Sequence, residues 1–381
     1  MGAPIYLDHN ATTRPAPEVI AAMTECLEHG WGNPSSAHRL GTEAKGRLNA
    51  ARAQVAALIG AVAARIVFTA SATEANHMAI LGALAARPDR RHIVTSAVEH
   101  PSSLMLLRHL QSRGVRVTTL GVDAEGRLDR AALDAAIDDD TALVSLMWAN
   151  NETGVLFPVA EIAEIAQRRG VLFHCDAVQA AGRVTIDLAQ LPIDLLTLSA
   201  HKLHGPKGVG ALHVRKDFAL PPMVFGHQER GRRGGTENLA AIVGFGVAAQ
   251  LAARAPTEDI PRLAALRDRL EFGLLQRIPQ TRLNGAVAAR IGNTTNLRFA
   301  TVDAEIVLDR LDRAGICASS GSACAAGGSE PSPVLLAMGQ SRAEALAALR
   351  FSLGRDTTTA DIDRVLELLP CIVCPLVGEA A

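Results

Sequence analysis

The sequence predicts an α/β protein: a large unit with a mainly parallel sheet between helices, then a smaller α/β unit. Three observations carry that expectation. Apolar runs at 66–69, 92–95, 142–147, 171–173 and 193–198 each end in a polar turn, and helical stretches alternate with them. Such alternation needs crossovers, hence parallel pairing with one shared carboxyl-end face. The chain has 381 residues, 48% of them hydrophobic, enough to bury one large core and a second, smaller one. Finally, the run 193–198 has Asp194 and Thr197 as its only polar members and reads as a buried strand. It delivers Lys202 just beyond its carboxyl end, where ligands bind in open α/β sheets.

Lysine and arginine number 38 against 39 aspartate and glutamate, with a net charge of −1. That balance lacks the electrostatic footprint of a nucleic-acid binder and favours small substrates or protein partners. No basic segment followed by an apolar one opens the chain, and no apolar run reaches the about 18 residues of a membrane span. A cytoplasmic protein with no membrane or nucleic-acid partner is expected. Six cysteines (Cys26, Cys175, Cys317, Cys324, Cys371 and Cys374) are too scattered for a disulfide scaffold.

Taken in order, residues 6–15 pass from a short extended piece into a polar turn. Pro17 then opens a helix, a position that helix starts favour. Residues 32–36 are a loop of turn formers, either a connector or part of a site. The strand 66–69 ends in Ala70, Ser71, Ala72, Thr73 and Glu74 ahead of an alanine- and leucine-rich helix at 75–86. Hydroxyl residues there make either an N-cap or an anion site fit for a phosphate. The second run leads into His100 and a helix at 102–112, and the third into Asn151. The fourth leads into Asp176 and Gln179, and the fifth into Ser199, His201 and Lys202.

Singly, His100 reads as a structural histidine, Asp176 as a turn cap and Lys202 as an exposed turn lysine. Together they are the parts that grip pyridoxal phosphate. A lysine forms the aldimine, a carboxylate keeps the pyridine nitrogen protonated, and a helix start takes the phosphate. A nicotinamide site would want a Gly-x-Gly-x-x-Gly turn after a strand, which this sequence lacks in that setting.

Residues 255–257 break the pattern, and 260–278 read as a long amphipathic helix with Leu263, Leu266, Leu270 and Leu274 on one face. Short strands at 296–300 and 350–353, with helices at 303–313 and 361–369, complete the small unit, which the N-terminal segment is expected to join. The run 318–333 is crowded with loop formers and contains Cys324, whereas Cys26, Cys175 and Cys317 lie in apolar runs. Cys371 and Cys374 form a C-x-x-C without a second pair or a β-α-β setting, and read as an apolar helix end.

At this point the sequence resembles the cysteine desulfurases of the class-V aminotransferase-like, fold-type I pyridoxal-phosphate enzymes, most closely the nitrogen-fixation (NifS) type. The resemblance runs nearly end to end. It rests on 6–13 (Tyr-Leu-Asp-His-Asn-Ala-Thr-Thr), 145–154 (Ser-Leu-Met-Trp-Ala-Asn-Asn-Glu-Thr-Gly), 174–179 (His-Cys-Asp-Ala-Val-Gln) and 199–208 (Ser-Ala-His-Lys-Leu-His-Gly-Pro-Lys-Gly). It continues through the glycine- and arginine-rich run 226–238, then 319–324 (Ser-Ser-Gly-Ser-Ala-Cys) and 350–354 (Arg-Phe-Ser-Leu-Gly).

The resemblance implies a seven-stranded sheet, a large domain over 15–255 and a small domain from 1–14 and 256–381 that carries the cysteine loop. It implies that Lys202 carries the cofactor, Asp176 pairs with the pyridine nitrogen, and His100 stacks on the ring and shuttles protons. Gln179 and Asn151 would face the ring's phenolic oxygen. Ala72, Thr73, Ser199 and His201 would hold the phosphate, with Thr236 reaching the phosphate of a neighbouring subunit in a homodimer. Arg350 would clamp the substrate carboxylate, with Asn151, Asn33 and Asn10 nearby. L-Cysteine would give up its sulfur to Cys324, leaving alanine and a persulfide passed to an iron-sulfur scaffold protein, with the nitrogenase branch favoured over a housekeeping one. No metal is implied. Rivals are a selenocysteine lyase or aminotransferase on the same fold and a scaffold protein without activity. Two residues depart from the family: Ser71 stands where a glycine is usual, which would strain a backbone needing positive φ, and His9 where an asparagine is usual.

Overall fold

Buried strands must satisfy their backbone groups by pairing, and the apolar runs do so in one seven-stranded sheet. The protein is described by a computed structural model over residues 4–300, 302–321 and 330–379; Cys324 lies outside the described residues. The chain opens with β1 (Ile5–Tyr6), α1 (Pro17–His29) and α2 (Arg39–Leu58). Next come β2 (Ile66–Thr69), α3 (Ala72–Ala86), β3 (His92–Ser96), α4 (Pro101–Ser112) and the edge strand β4 (Arg116–Leu120). The large unit continues with α5 (Arg130–Ala136), β5 (Thr141–Met147), α6 (Val159–Arg168), β6 (Leu172–Asp176), β7 (Leu195–Ser199), β8 (Gly210–Val214) and α7 (Leu239–Ala252).

The sheet order is β2-β8-β7-β6-β5-β3-β4. Only β8 runs against its neighbours, so β2, β3, β5, β6 and β7 all point their carboxyl ends the same way. Period-two alternation splits the strand residues between two faces. Leu195, Leu212 and Val67 pack on Met78 and Ala79 of α3, while Phe173, Leu196 and Leu198 join a larger core with α2, α6 and α7. Strand order reverses between β5 and β3, which makes their carboxyl ends a switch point where a crevice opens.

The second unit comprises α8 (Ala255–Arg277), β9 (Thr281–Leu283), β10 (Thr294–Phe299), α9 (Ala304–Arg313), β11 (Ile316–Cys317), α10 (Pro333–Ala337), α11 (Arg342–Leu346), β12 (Ala348–Ser352) and α12 (Thr359–Glu379). β12, β10 and β9 form an antiparallel sheet, and β1 pairs in parallel with β11. Leu7 is buried in this second core with Leu263, Leu270, Leu311 and Leu369.

Three boundaries differ from expectation. Residues 255–257 do not break the chain: they are the first turn of α8, where Pro256 loses no intrahelical bond, and α7 meets α8 at a 68° bend. α12 runs through Pro370 and Pro375 to Glu379 because Ile362, Val365, Leu369 and Val373 keep one face buried. α3 begins at Ala72 rather than at 75, so Thr73 sits in its first turn. Cys26 and Cys175 are packed, Cys317 is half-buried, and Cys371 and Cys374 ride on α12 as free thiols. No single described helix is long and apolar enough to cross a membrane.

Candidate active site

The carboxyl ends of β2, β5, β6 and β7 enclose a cavity of about 390 Å³. β7 passes into a single 3-10 turn, Ala200–Lys202, that lifts Lys202 over the sheet edge. The turn closes because Gly205 approaches the Ala200 carbonyl so nearly that a Cβ would stand 2.7 Å from it. A strap from the N-terminal segment covers the turn. Thr13 donates its N–H and its hydroxyl to the His201 carbonyl (2.9 and 2.8 Å), and Ala16 N–H donates to His204 (2.9 Å). The Lys202 ammonium donates to the carbonyls of Asn10 and Ala11, both at 2.6 Å.

Asp176 is the last residue of β6. Its two carboxylate oxygens accept from Asn76 Nδ2 (2.8 Å) and Val178 N–H (3.0 Å), which fixes the carboxylate plane and leaves lone pairs for a further donor. Asn76 also donates to Ser102 Oγ (3.0 Å), and Ser102 Oγ lies 2.8 Å from His100 Nδ1. Ser102 N–H donates to the same nitrogen (3.1 Å), so Nδ1 carries the lone pair and the neutral ring keeps its proton on Nε2. Burial holds the His100 pKa below its ordinary value, opposed by Asp176 and reinforced by Lys202. Beneath it, Glu99 accepts from Ser96 Oγ (2.6 Å) and Met147 N–H (3.0 Å), and burial pushes its carboxyl up to about 8.

This chain of contacts yields a test of its own. Replacing Ser102 by alanine removes one hydroxyl donor that favours unprotonated Nδ1, worth about 1 kcal/mol, or somewhat less than one pH unit. The acid limb of the kcat/KM profile of Ser102→Ala is expected to move upward by that amount with cofactor content unchanged. An unmoved limb would show that Ser102 does not set the protonation of His100.

Arg350, at 2% exposure, donates Nη2 to Asp8 (2.6 Å) and Nη1 to the Asn151 carbonyl (3.1 Å). Its Nε is buried with no partner among the described residues, and the residue lines the cavity. Gln179 Nε2 donates to the Asn10 carbonyl (3.0 Å), while its Oε1 accepts from Arg183 (2.7 Å). Asn10 Nδ2 reaches the Asn151 carbonyl (3.0 Å) and Thr294 (2.9 Å), tying the strap to the small unit.

At the other end, Ser71 caps α3 by accepting from Glu74 N–H (3.1 Å). Its φ of −169° is extended backbone, so the serine in place of glycine carries no strain. The first N–H groups of α3, at Ala72 and Thr73, form an anion site. β8 presses against it from behind, where a Cβ on Gly210 would meet the backbone of Ser71 and Ala72 at 2.6 and 2.8 Å. Ser199 and His201 also face the cavity; burial pushes the His201 imidazole down to about 4, so it is a neutral donor at pH 7. His9, the other departure, is buried edge-on to Tyr6 at 4.9 Å. Burial, then His204 and Arg183, push its pKa down to about 3.

The cavity thus brings together Ala72, Thr73, His100, Asn151, Asp176, Gln179, Ser199, His201, Lys202 and Arg350. Asn33 is not among them. It sits in an exposed loop where its Oδ1 caps Ser35 N–H (2.9 Å). Nor does Thr236 reach this cavity; it lies exposed on the 226–238 loop. That loop is held to α3 by Arg233 on Glu74 (2.8 Å), to α2 by the buried Glu229–Arg52 pair (2.5 Å) and to β2 by Phe68 N–H on Glu229 (3.1 Å). Asn76 and Ser102 were not singled out from the sequence. Asn76 had one signal, an amide one turn after Thr73 ahead of a mainly apolar helix.

These residues fit pyridoxal phosphate: an anion-binding helix start at one end, a doubly held carboxylate at the other, and an amine between them. The "Aminotransferase class-V" family model matches residues 5–365. The chain is 52% identical over 372 residues to the "Cysteine desulfurase" of Cereibacter sphaeroides, covering 97% of this chain and 95% of that one. It is 50% identical over 370 residues to "Cysteine desulfurase 2" of Trichormus variabilis, covering 97% and 93%. A solved "NIFS-LIKE PROTEIN" superposes with a TM-score of 0.91 at 33% identity, covering 97% of this chain and 99% of that one.

Proposed function

The chain belongs to the class-V aminotransferase family as a cysteine desulfurase, a pyridoxal-phosphate-dependent enzyme, and from that premise we propose how its own residues do the work. Lys202, Asp176, His100 and the α3 start hold the cofactor, which when bound takes up the electron pair released at the substrate α-carbon. Arg350, which lines the cavity, receives the L-cysteine carboxylate on its guanidinium, with Asp8 steadying the group. The Lys202 amine takes the α-proton, and the Nε2 side of His100 moves protons in the cavity.

The thiolate of Cys324 attacks the substrate sulfur: an S–S bond forms, the substrate Cβ–S bond breaks, and its electron pair ends on Cβ, where a proton completes alanine. The observation that carries this reading is one cavity holding an amine, a doubly held carboxylate and a buried arginine.

We further assign 15–255 to a large domain and 1–14 with 256–381 to a small one, since Leu7 packs in the second core. The working form is a homodimer in the cytoplasm in which Thr236 completes the neighbouring subunit's phosphate site. The acceptor of the persulfide is an iron-sulfur scaffold, with nitrogenase cluster assembly as the branch that the sequence favours.

The test is product analysis with holoenzyme, L-cysteine and a thiol reductant. Equal amounts of alanine and sulfide support the reading. A keto acid without sulfide would mean an aminotransferase, and turnover confined to selenocysteine would mean a lyase; either would overturn it.

A further inference from the structure

Asn76 lies buried in the second turn of α3, and only one end of its amide is used. Nδ2 gives one hydrogen to Asp176 Oδ2 (2.8 Å) and the other to Ser102 Oγ (3.0 Å). Oδ1 is enclosed with no partner among the described residues. The Asp176 carboxylate dictates this orientation, because the flipped amide would set oxygen against oxygen. Buried polar atoms are rarely left unmet, and an exception beside reacting groups marks a side chain held for its other end.

Ser102 is gripped twice from α3. His77, the next residue on the helix, has its Nε2 3.0 Å from the Ser102 carbonyl, while Asn76 occupies a lone pair of the hydroxyl. The hydroxyl hydrogen is thereby turned away from Asn76 and toward His100 Nδ1 (2.8 Å), at which the Ser102 N–H also points (3.1 Å). A proton arriving on Nδ1 would meet both hydrogens. The charged and titratable groups that face His100 are Asp176 on β6 and Lys202 and His201 on the turn after β7, with Glu99 next to it in the chain. Asn76 adds no charge to that set; it supplies direction.

We propose that Asn76 is a positioning residue for the desulfurase reaction: its one nitrogen holds Asp176 in plane and, through Ser102, holds His100 with Nδ1 as acceptor and the proton on Nε2. The proposal rests on the reading of Asp176 and His100 as cofactor residues and deepens it, since the two act as a linked pair rather than as separate groups.

The experiment compares wild type with Asn76→Leu, which keeps most of the volume and removes both hydrogens, and follows the His100 ring nitrogens by NMR in the full chain with and without pyridoxal phosphate. Wild type is expected to hold the Nε2–H form. Asn76→Leu is expected to show a mixture of the two neutral forms, with its titration midpoint raised by about half a pH unit. In the holoenzyme kcat is expected to fall about tenfold and the acid limb of kcat/KM to move up by the same half unit, while KM for L-cysteine stays within about twofold because Arg350 is untouched. Adding Asn76→Leu to Ser102→Ala is expected to move the limb no further, yet still to lower kcat through Asp176. Should Asn76→Leu fail to fold, Asn76→Ala carries the same expectations. A His100 ring that keeps its wild-type form in the folded variant, or limb shifts that add fully in the double variant, overturns the proposal. The NMR measurement involves no turnover, so its failure is distinguishable from a failure of the product analysis.

Discussion

Lys202→Ala is expected to lose at least about 10⁴-fold in alanine and sulfide formation, because in the proposed mechanism one side chain both anchors the cofactor and takes the α-proton. The structure leaves no understudy: among the described residues lining the cavity, Lys202 is the only amine. Its placement is specific as well, with two carbonyls at 2.6 Å orienting the nitrogen. Those two charge-assisted bonds vanish in the variant, so a stability loss of about 2 kcal/mol accompanies the loss of rate. Borohydride reduction of wild-type holoenzyme is expected to leave the cofactor mass on the Lys202 peptide, and the variant to carry none. Turnover within about tenfold of wild type, or a label on another lysine, would refute the assignment.

Cys324→Ala is expected to separate binding from sulfur removal. The described residues on either side of the 322–329 run are attached to the cavity wall. Ser319 and Arg350 exchange backbone hydrogen bonds (3.2 and 2.6 Å), and Ser332 Oγ donates to the buried Glu152 (2.5 Å). None of these contacts involves the thiol. The variant keeps Lys202, Asp176 and Arg350, so its stability is expected to stay within about 0.5 kcal/mol and its bound cofactor to change absorbance on mixing with L-cysteine. Sulfide and alanine are expected to be absent. In wild type, trapping of thiols after one turnover is expected to place one extra sulfur on Cys324. Sulfide release at the normal rate from the variant, or the extra sulfur on Cys371 or Cys374, would remove Cys324 from the mechanism.

The half of the cavity built from the sheet was legible because buried parallel strands are written as unbroken apolar runs. The polar residue after each run must then lie on one shared edge. Lys202, Asp176, His100 and Asn151 were all found that way. What escaped has no periodic signature. β8 looks like any other strand in sequence, and its reversed direction follows from a short connection after the lysine turn. Asn76 meets Ser102 and, 100 positions away, Asp176, pairings that only the packing of α3 against α4 and β6 creates. Whether Ser71 strains its loop depends on a φ that sequence does not print: as an N-cap it adopts extended backbone, and glycine is not required there. Asn33 belongs to an exposed loop, where motif position says nothing about reach.

The strap over the lysine turn has a consequence for how the molecule breathes. Terminal segments usually fray, but here the amide protons of Leu7, His9, Thr13 and Ala16 are all given to carbonyls elsewhere in the fold, on Cys317, Ser352, His201 and His204. These amides therefore belong to the slow-exchanging class and open only when the lysine turn and the small unit come apart together. The beginning of the chain is the seam that makes the two cores one cooperative body, and trimming it back past Ala11 would cost Lys202 both of its anchoring carbonyls rather than a dispensable tail.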